Sequence, residues 1–307
     1  MKKLLLFLLC LFLIPILITS LFFKIKNKII SGFNHNHINN MKIRILTDND
    51  IIEKDLEEYL IGVVSSEVPV TFEEDALKAQ AVASRTYALK QISNNKNQEY
   101  DVTDNTLSQV YSSNEKLKEK WGSDYEKNYN KIKKIVEETK GEYISYNDDY
   151  IYAFFFSTSN GKTEDNKNVF GADLPYLKIV DSSFDKEETD NFLTSKSYSK
   201  SEFYELLGLE YNDELKIDNI IKTESGRVYS LNINDTYFKG RDFQKKLLLR
   251  SNDFDIQNCD QEVIITTKGY GHGVGMSQYG ANALAKHRKN YKEILKYYYQ
   301  GTEIKKL

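Results

Sequence analysis

One carboxylate stands apart in this 307-residue chain. Glu67 closes the apolar run Leu60-Ile-Gly-Val-Val-Ser-Ser-Glu-Val-Pro69, and an Ala-rich, charge-poor stretch reaching Tyr87 begins almost at once. Val63, Val64, Val68 and Pro69 surround it in sequence. Burial in such company disfavours the ionised form and keeps a carboxyl protonated near neutral pH, as a general acid requires. The same residue could equally do no more than end a helix. Glu73, Glu74 and Asp75 read differently, as acids placed where a helix dipole favours them.

The second stretch with chemical potential is Gly269-Tyr-Gly-His-Gly-Val-Gly-Met-Ser-Gln-Tyr-Gly280. It matches Gly-x-Gly-x-x-Gly in no register, and Ala281-Asn282 stands where a phosphate loop needs Lys-Ser/Thr. Glycines packed around His272 suit a backbone that turns tightly and approaches a ligand. Ser277, Gln278 and Tyr279 would offer donors at the start of the helix that follows. A structural turn with His272 as a hydrogen-bonded core residue remains the alternative. Other chemistries find few residues. A Ser/His/Asp triad lacks its Gly-x-Ser-x-Gly elbow, and no Cys-x-x-Cys pattern exists. Cys259, His272 and His287 are the only Cys and His of the body, which leaves carboxylate chemistry. Cys259 reads as a small buried hydrophobe.

These residues need elements to hold them. Lys42–Leu46 alternates like a strand. Asp55-Leu-Glu-Glu58 has capping-box spacing and opens a helix to about Ser65, which Pro69 stops. Thr71-Phe-Glu-Glu74 repeats the box ahead of a helix from Asp75 to about Gln91. Asn128–Thr139 is amphipathic, with Ile132, Ile135 and Val136 as its apolar stripe. Tyr143–Tyr146 and Tyr150–Phe156 read as a hairpin about Asn147-Asp148-Asp149, followed by the polar loop Ser157-Thr-Ser-Asn-Gly161. Past Lys196 the texture changes to a short helix at Lys200–Leu207 and strand-like segments at Ile217–Thr223, Val228–Ile233 and Phe243–Leu249. Helices follow at about Ala281–His287 and Tyr291–Tyr299.

The first thirty residues hold five of the 42 Lys and Arg and none of the 45 acids, so the remainder carries 37 basic against 45 acidic side chains. An acidic body argues against non-specific nucleic-acid binding. Tyr (22) and Phe (16) are abundant and suit a strand-rich core or a groove for polar, ring-shaped ligands. Leu4–Phe23 is long and apolar enough to cross a bilayer, and Thr19-Ser20-Leu21-Phe22-Phe23 makes a poor cleavage site. The run reads as an uncleaved single-pass anchor, although the flanking lysines are nearly balanced. Asn27–Asn40, with His35 and His37, reads as a tether.

Val64-Ser-Ser-Glu-Val-Pro69 with Ala76-Leu-Lys-Ala-Gln-Ala-Val-Ala-Ser-Arg-Thr-Tyr87 resembles the signature of the stage II sporulation protein D family. So do Phe155-Phe-Ser-Thr-Ser-Asn-Gly-Lys-Thr-Glu164, Thr223-Glu-Ser-Gly-Arg227 and Gly271-His-Gly-Val-Gly-Met-Ser-Gln-Tyr-Gly-Ala281. The resemblance spans Lys42 to Ile304. It implies a peptidoglycan lytic transglycosylase acting on glycan stripped of stem peptides, with Glu67 as the catalytic acid and base. It also implies an amidase partner, stage II sporulation protein P, and the membrane protein stage II sporulation protein M, in septal thinning and engulfment. A glycan-binding amidase enhancer and an engulfment scaffold are the alternatives.

On this basis the candidate substrate-binding residues are Gln80 and Arg85 from the Ala-rich helix, Ser157, Thr158, Ser159 and Asn160 from the polar loop, and His272, Ser277, Gln278 and Tyr279 from the glycine-rich turn. Those last four are expected to converge on Glu67 across a tyrosine-lined groove. Some family members bind a structural zinc through Cys and His in the segment matching Asp101 to Gln109. Thr103, Leu107 and Ser108 stand there instead, so neither metal nor cofactor is expected. The fold class expected is α+β, an extracytoplasmic mixed domain over residues 42–305 with an α+β subdomain inserted at about 196–260, after a membrane anchor (1–23) and a polar linker (24–41). The protein would then sit in the cell membrane, facing outward at the sporulation septum and engulfing membrane.

Overall fold

A computed structural model describes residues 41–48 and 50–307; the expected anchor and nearly all of the linker lie outside them. Among the described residues no helix is long and apolar enough to cross a membrane. What they form is a mixed α+β fold.

The chain starts with β1 (Lys42–Leu46), whose Ile43 and Ile45 face the core, paired antiparallel with β2 (Ile51–Asp55). The Asp55 side chain accepts the N–H groups of Glu57 and Glu58 and starts α1 (Leu56–Glu67). The reciprocal half of the capping box is missing, because Glu58 turns to Lys54. After the Pro69 turn comes α2 (Glu74–Asn94), slim enough to lie against α1, α4 and the C-terminal helices. Its second capping box does not form. Glu73 stands at the N-cap without a side-chain bond, and its N–H is taken by Asn282 Oδ1 at 2.9 Å. The local Thr-x-x-Glu pattern loses to an acceptor brought in by tertiary packing.

A parallel pairing of β3 (Val102–Thr103) with β1 returns the chain to the first sheet. The helices α3 (Asn114–Trp121) and α4 (Tyr125–Glu138) follow, and α4 buries Ile132, Ile135 and Val136. Arg85 is the polar rivet of this layer. It has no exposed side-chain surface, forks onto Glu57 at 2.8 and 2.7 Å, and donates to the carbonyls of Val136 and Glu142. A bidentate, buried guanidinium–carboxylate pair fixes α1, α2 and α4 relative to one another.

The hairpin is shorter than its composition suggests: β4 (Glu142–Tyr146) pairs with β5 (Asp149–Tyr150) over an Asn147–Asp148 turn with φ of 49° and 62°. The apolar run then leaves that sheet, and β6 (Phe155–Phe156) pairs in parallel with β13 (Met276–Ser277). This two-strand contact carries the glycine-rich turn onto the body. At Gly275, φ is +81° and a Cβ would lie 2.0 Å from the Phe154 carbonyl oxygen, so no other residue fits. The short helix α5 (Asn166–Phe170) follows the polar loop.

Between β7 (Leu193–Ser199) and β12 (Glu262–Lys268) the chain builds a second apolar cluster from Tyr198, Phe203, Val228, Leu231, Phe243, Phe254 and Ile265, among others. Its elements are α6 (Lys200–Leu207), the sheet of β8 (Ile217–Lys222), β9 (Val228–Ile233) and β10 (Thr236–Lys239), α7 (Gly240–Lys246) and β11 (Phe254–Asn258). The expected strand at Phe243–Leu249 is α7 and a turn, since Phe243 and Leu247, four apart, are both buried in this cluster. Cys259 is partly exposed rather than buried. The chain ends with α8 (Gln278–Lys286), α9 (Tyr291–Tyr298), which has a full Asn290/Glu293 capping box, and β14 (Glu303–Lys306) beside β4.

Candidate active site

Glu67 is the last residue of α1, and Val68 breaks out to extended backbone. Val63, Val64 and Val68 are buried, and Glu67 beside them in the chain is partly buried. Its Oε1 accepts the Val110 N–H at 2.7 Å, and the Gln278 side chain donates to it as well. Burial raises the Glu67 pKa and outweighs those two bonds, which favour the ionised form. Sitting at the C-terminal end of α1, where the helix carbonyls gather partial negative charge, penalises the carboxylate further. Among the described residues no charged group offsets this.

The surroundings are built to hold that carboxyl still. Gln278, at the first turn of α8, has its Nε2 3.4 Å from Gln80 Oε1, and Gln80 Nε2 donates to Ser84 Oγ at 3.0 Å. A relay of buried amides thus runs from α2 through α8 to Glu67. On the other side, Val110 belongs to a segment tied down through Gln109, which bonds the Tyr59 hydroxyl and the Ser84 carbonyl. Gly62 lets this segment approach α1, since a Cβ there would lie 2.5 Å from the Tyr111 ring. Tyr59 and Tyr87 both lie within electrostatic reach of Glu67.

Of the four residues of the glycine-rich turn, Gln278 reaches Glu67. Tyr279 packs edge-on against Phe72, 5.1 Å between centroids, beside the turn that follows Glu67. Ser277 is turned inward: it caps α8 at Gly280 N and bonds Asp185. His272 is braced on both sides. Its Nδ1 accepts the Val274 N–H at 3.0 Å, the ring bonds the Phe155 backbone, and Phe154, Phe156 and Phe170 pack around it. Burial, then the nearby Arg241 and Arg227, lower its pKa to about 3, so the imidazole is neutral. It is the hydrogen-bonded residue of a structural turn.

The polar loop is likewise largely consumed by the fold. Thr158 pairs with Tyr270 through backbone bonds, and Ser159, fully buried, bonds Asp185 and Ser182. Asn160 bonds Ser225 and Asp253 of the second cluster, while Ser157 stays partly exposed beside Ser277 and Tyr279. Arg85, expected to touch substrate, is the buried rivet described above and positions elements instead.

Three residues that matter here were not among the expected site residues, although Glu164 closes one of the motifs that carry the resemblance. Val110 acts through its backbone N–H, which no side-chain pattern reports. Asp185, buried with a raised pKa, gathers Ser159, Ser182 and Ser277 and so fastens the loop to α8. Glu164 is buried and accepts the Thr223 and Ser225 hydroxyls, both at 2.6 Å. Among the described residues no group of three or more His, Cys, Asp or Glu is placed to hold a metal ion.

The family model described as stage II sporulation protein (SpoIID) matches residues 47–146, the part that contains Glu67, Gln80 and Val110. Stage II sporulation protein D of Bacillus subtilis (strain 168) is 42% identical over 264 residues, covering 84% of this chain and 77% of that protein. Its counterpart in Bacillus amyloliquefaciens is 43% identical over 264 residues, covering 84% and 76%. An amidase enhancer of Bacillus subtilis is 26% identical over 299 residues, covering 80% of this chain and 40% of the enhancer. With identity sustained across most of both chains, this protein belongs to the stage II sporulation protein D family.

Proposed function

We propose that the protein is a peptidoglycan lytic transglycosylase. It cleaves the β-1,4 bond between N-acetylmuramic acid and N-acetylglucosamine in strands stripped of stem peptides, leaving 1,6-anhydro ends. The observation that carries this reading is the setting of Glu67, a carboxyl of raised pKa held by one N–H and one amide, with no charged group shifting it. Ordinary glycosidases need a second carboxylate to activate water or to form a covalent intermediate. A reaction closed by the substrate's own hydroxyl needs neither.

Glu67 gives its proton to the leaving O4 as the C1–O4 bond breaks. The muramyl 6-hydroxyl then attacks C1, forms the anhydro ring and returns its proton to the Glu67 carboxylate, so no water is consumed. Between the two steps the Val110 N–H and the Gln278 amide hold the transient carboxylate, donors set in place before charge appears. Intramolecular attack gains the advantage of a nucleophile already in position.

In the same reading the apolar run Leu4–Phe23 anchors the domain outside the cytoplasmic membrane, at the sporulation septum and engulfing membrane. There it would follow the amidase stage II sporulation protein P, which strips the peptides, alongside stage II sporulation protein M. Membership of the family supports a place in sporulation. A non-catalytic enhancer of an amidase has the 26% identical relative in its favour, but leaves the raised pKa of Glu67 without use.

Mass spectrometry of a digest of stripped glycan tests the reading. The wild-type chain should release anhydro-muramyl products, and Glu67→Gln should lower release by at least about a thousandfold. Products ending in reducing muramic acid would mean hydrolysis, and undiminished release by Glu67→Gln would remove the residue from the reaction.

A further inference from the structure

A cavity of about 340 Å³ opens between α5 and the face made by β9, β10 and α7. Lys167, Lys239, Arg241 and Lys245 line it, in a body whose overall balance is acidic. Among the described residues none of the four has an ion-pair partner. Of the two acids in the lining, Glu164 takes the Thr223 and Ser225 hydroxyls and acts on the buried Arg227, so Asp242 is the acid left to face the four cations. Arg241 is set in place: Nη1 donates to the Val169 carbonyl at 2.7 Å, and the guanidinium lies 5.3 Å over the Phe170 ring. Burial lowers its pKa, and Asp242 offsets only part of that.

A run of packed rings leads from beside the cavity toward Glu67. Phe170, 46% exposed, stands 4.7 Å from Phe154, and Phe154 stands 6.3 Å from Tyr87, a buried residue near Glu67. Aromatic faces bordering a cationic hollow suit a polymer of sugar rings that carries anionic groups at intervals.

We propose that this cavity is a remote subsite that takes the free lactyl carboxylate of a muramic acid on the glycan strand. The proposal rests on the substrate class argued above. Every second sugar of a stripped strand bears such a carboxylate, whereas in an unstripped strand the same carbon is an amide, neutral and bulky. The cavity would therefore read the absence of the stem peptide directly. An acidic body would otherwise repel a polyanionic strand, so a positive hollow is also where the strand can be steered in.

The test is a binding measurement on the full chain in detergent micelles, carrying Glu67→Gln so that no bond is cut. One probe is stripped glycan; the other is the same glycan with its lactyl carboxylates converted to methylamides. The stripped strand should bind about tenfold more tightly. Adding Lys239→Gln and Lys245→Gln, two exposed positions, should bring both probes to the weaker affinity and flatten the salt dependence, with the melting temperature unchanged. Equal affinity for the two probes, or an equal loss for both in the lysine variant, overturns the subsite. If the wild-type chain cleaves but the probes bind alike, only the subsite fails. Discrimination without cleavage sinks only the transglycosylase, and binding to neither probe sinks both.

Discussion

A carboxyl whose proton is held by burial is also a carboxyl whose charge the fold would rather not carry, and Glu67 shows both sides. Its pKa is raised in the folded state, so the folded protein holds this proton more tightly than the unfolded chain does. Stability from this group is therefore full below the ordinary carboxyl range and is lost as pH rises from there through the raised value. Glu67→Gln, which keeps an acceptor for Val110 N–H, should accordingly be more stable than wild type at neutral pH. The gain should vanish by the acid end of that window. Urea midpoints measured across pH check it, and a pH-independent difference would refute the charge argument. Activity should decline as pH rises through the same raised pKa. Gln278→Ala removes a bond that favours the ionised form, so its activity should fall about tenfold while the alkaline limb of its pH profile moves upward. A lower rate with an unmoved profile would make Gln278 merely structural.

At the scale of elements, the start of α2 depends on a residue more than two hundred positions away. Asn282 accepts the Glu73 N–H at 2.9 Å and donates to Glu188 Oε2 at 2.7 Å. Asn282→Ala leaves that helix N-terminus without its acceptor and should cost about 1–2 kcal/mol, read as a lower urea midpoint with an unchanged slope. Unchanged stability would mean water replaces the cap. This cap also marks the limit of what the sequence displays. The Asp55 cap, the stripe of Ile132, Ile135 and Val136, and the Asn147–Asp148 turn are set by neighbours in sequence and could be read there. The Tyr150–Phe156 strand could not be followed to its end, because Phe155 pairs with Met276. Phe243–Leu249 reads as a strand yet ends a helix and enters a turn, because the second cluster buries Phe243 and Leu247 on one face. The site divides in the same way. Glu67 and Gln278 were visible as a carboxylate in apolar company and a donor at a helix start, whereas the Val110 backbone and the Asp185 hub exist only once distant segments meet.

At the scale of the whole fold, the two apolar clusters of the described residues do not merge, and polar bonds join them. Asn160 Nδ2 reaches the Ser225 carbonyl at 2.8 Å and Asp253 at 2.7 Å, Glu164 takes two hydroxyls, and Arg227 donates to the Lys162 carbonyl at 3.1 Å. Arg227 is the vulnerable member. Burial lowers its pKa to about 10, so it is still charged at neutral pH, and Glu164 is the first of the carboxylates that hold the value up. Such a seam differs from an apolar one, since removing one charge strands the other in a dry place. Glu164→Ala should therefore destabilise by about 3–5 kcal/mol, while Glu164→Gln, which keeps the hydroxyl bonds, should lose less. Because the second cluster has its own core, weakening the seam should also split one calorimetric transition into two. A single transition with Tm within about 1 °C of wild type in Glu164→Ala would show that the clusters are coupled by something other than this charge network.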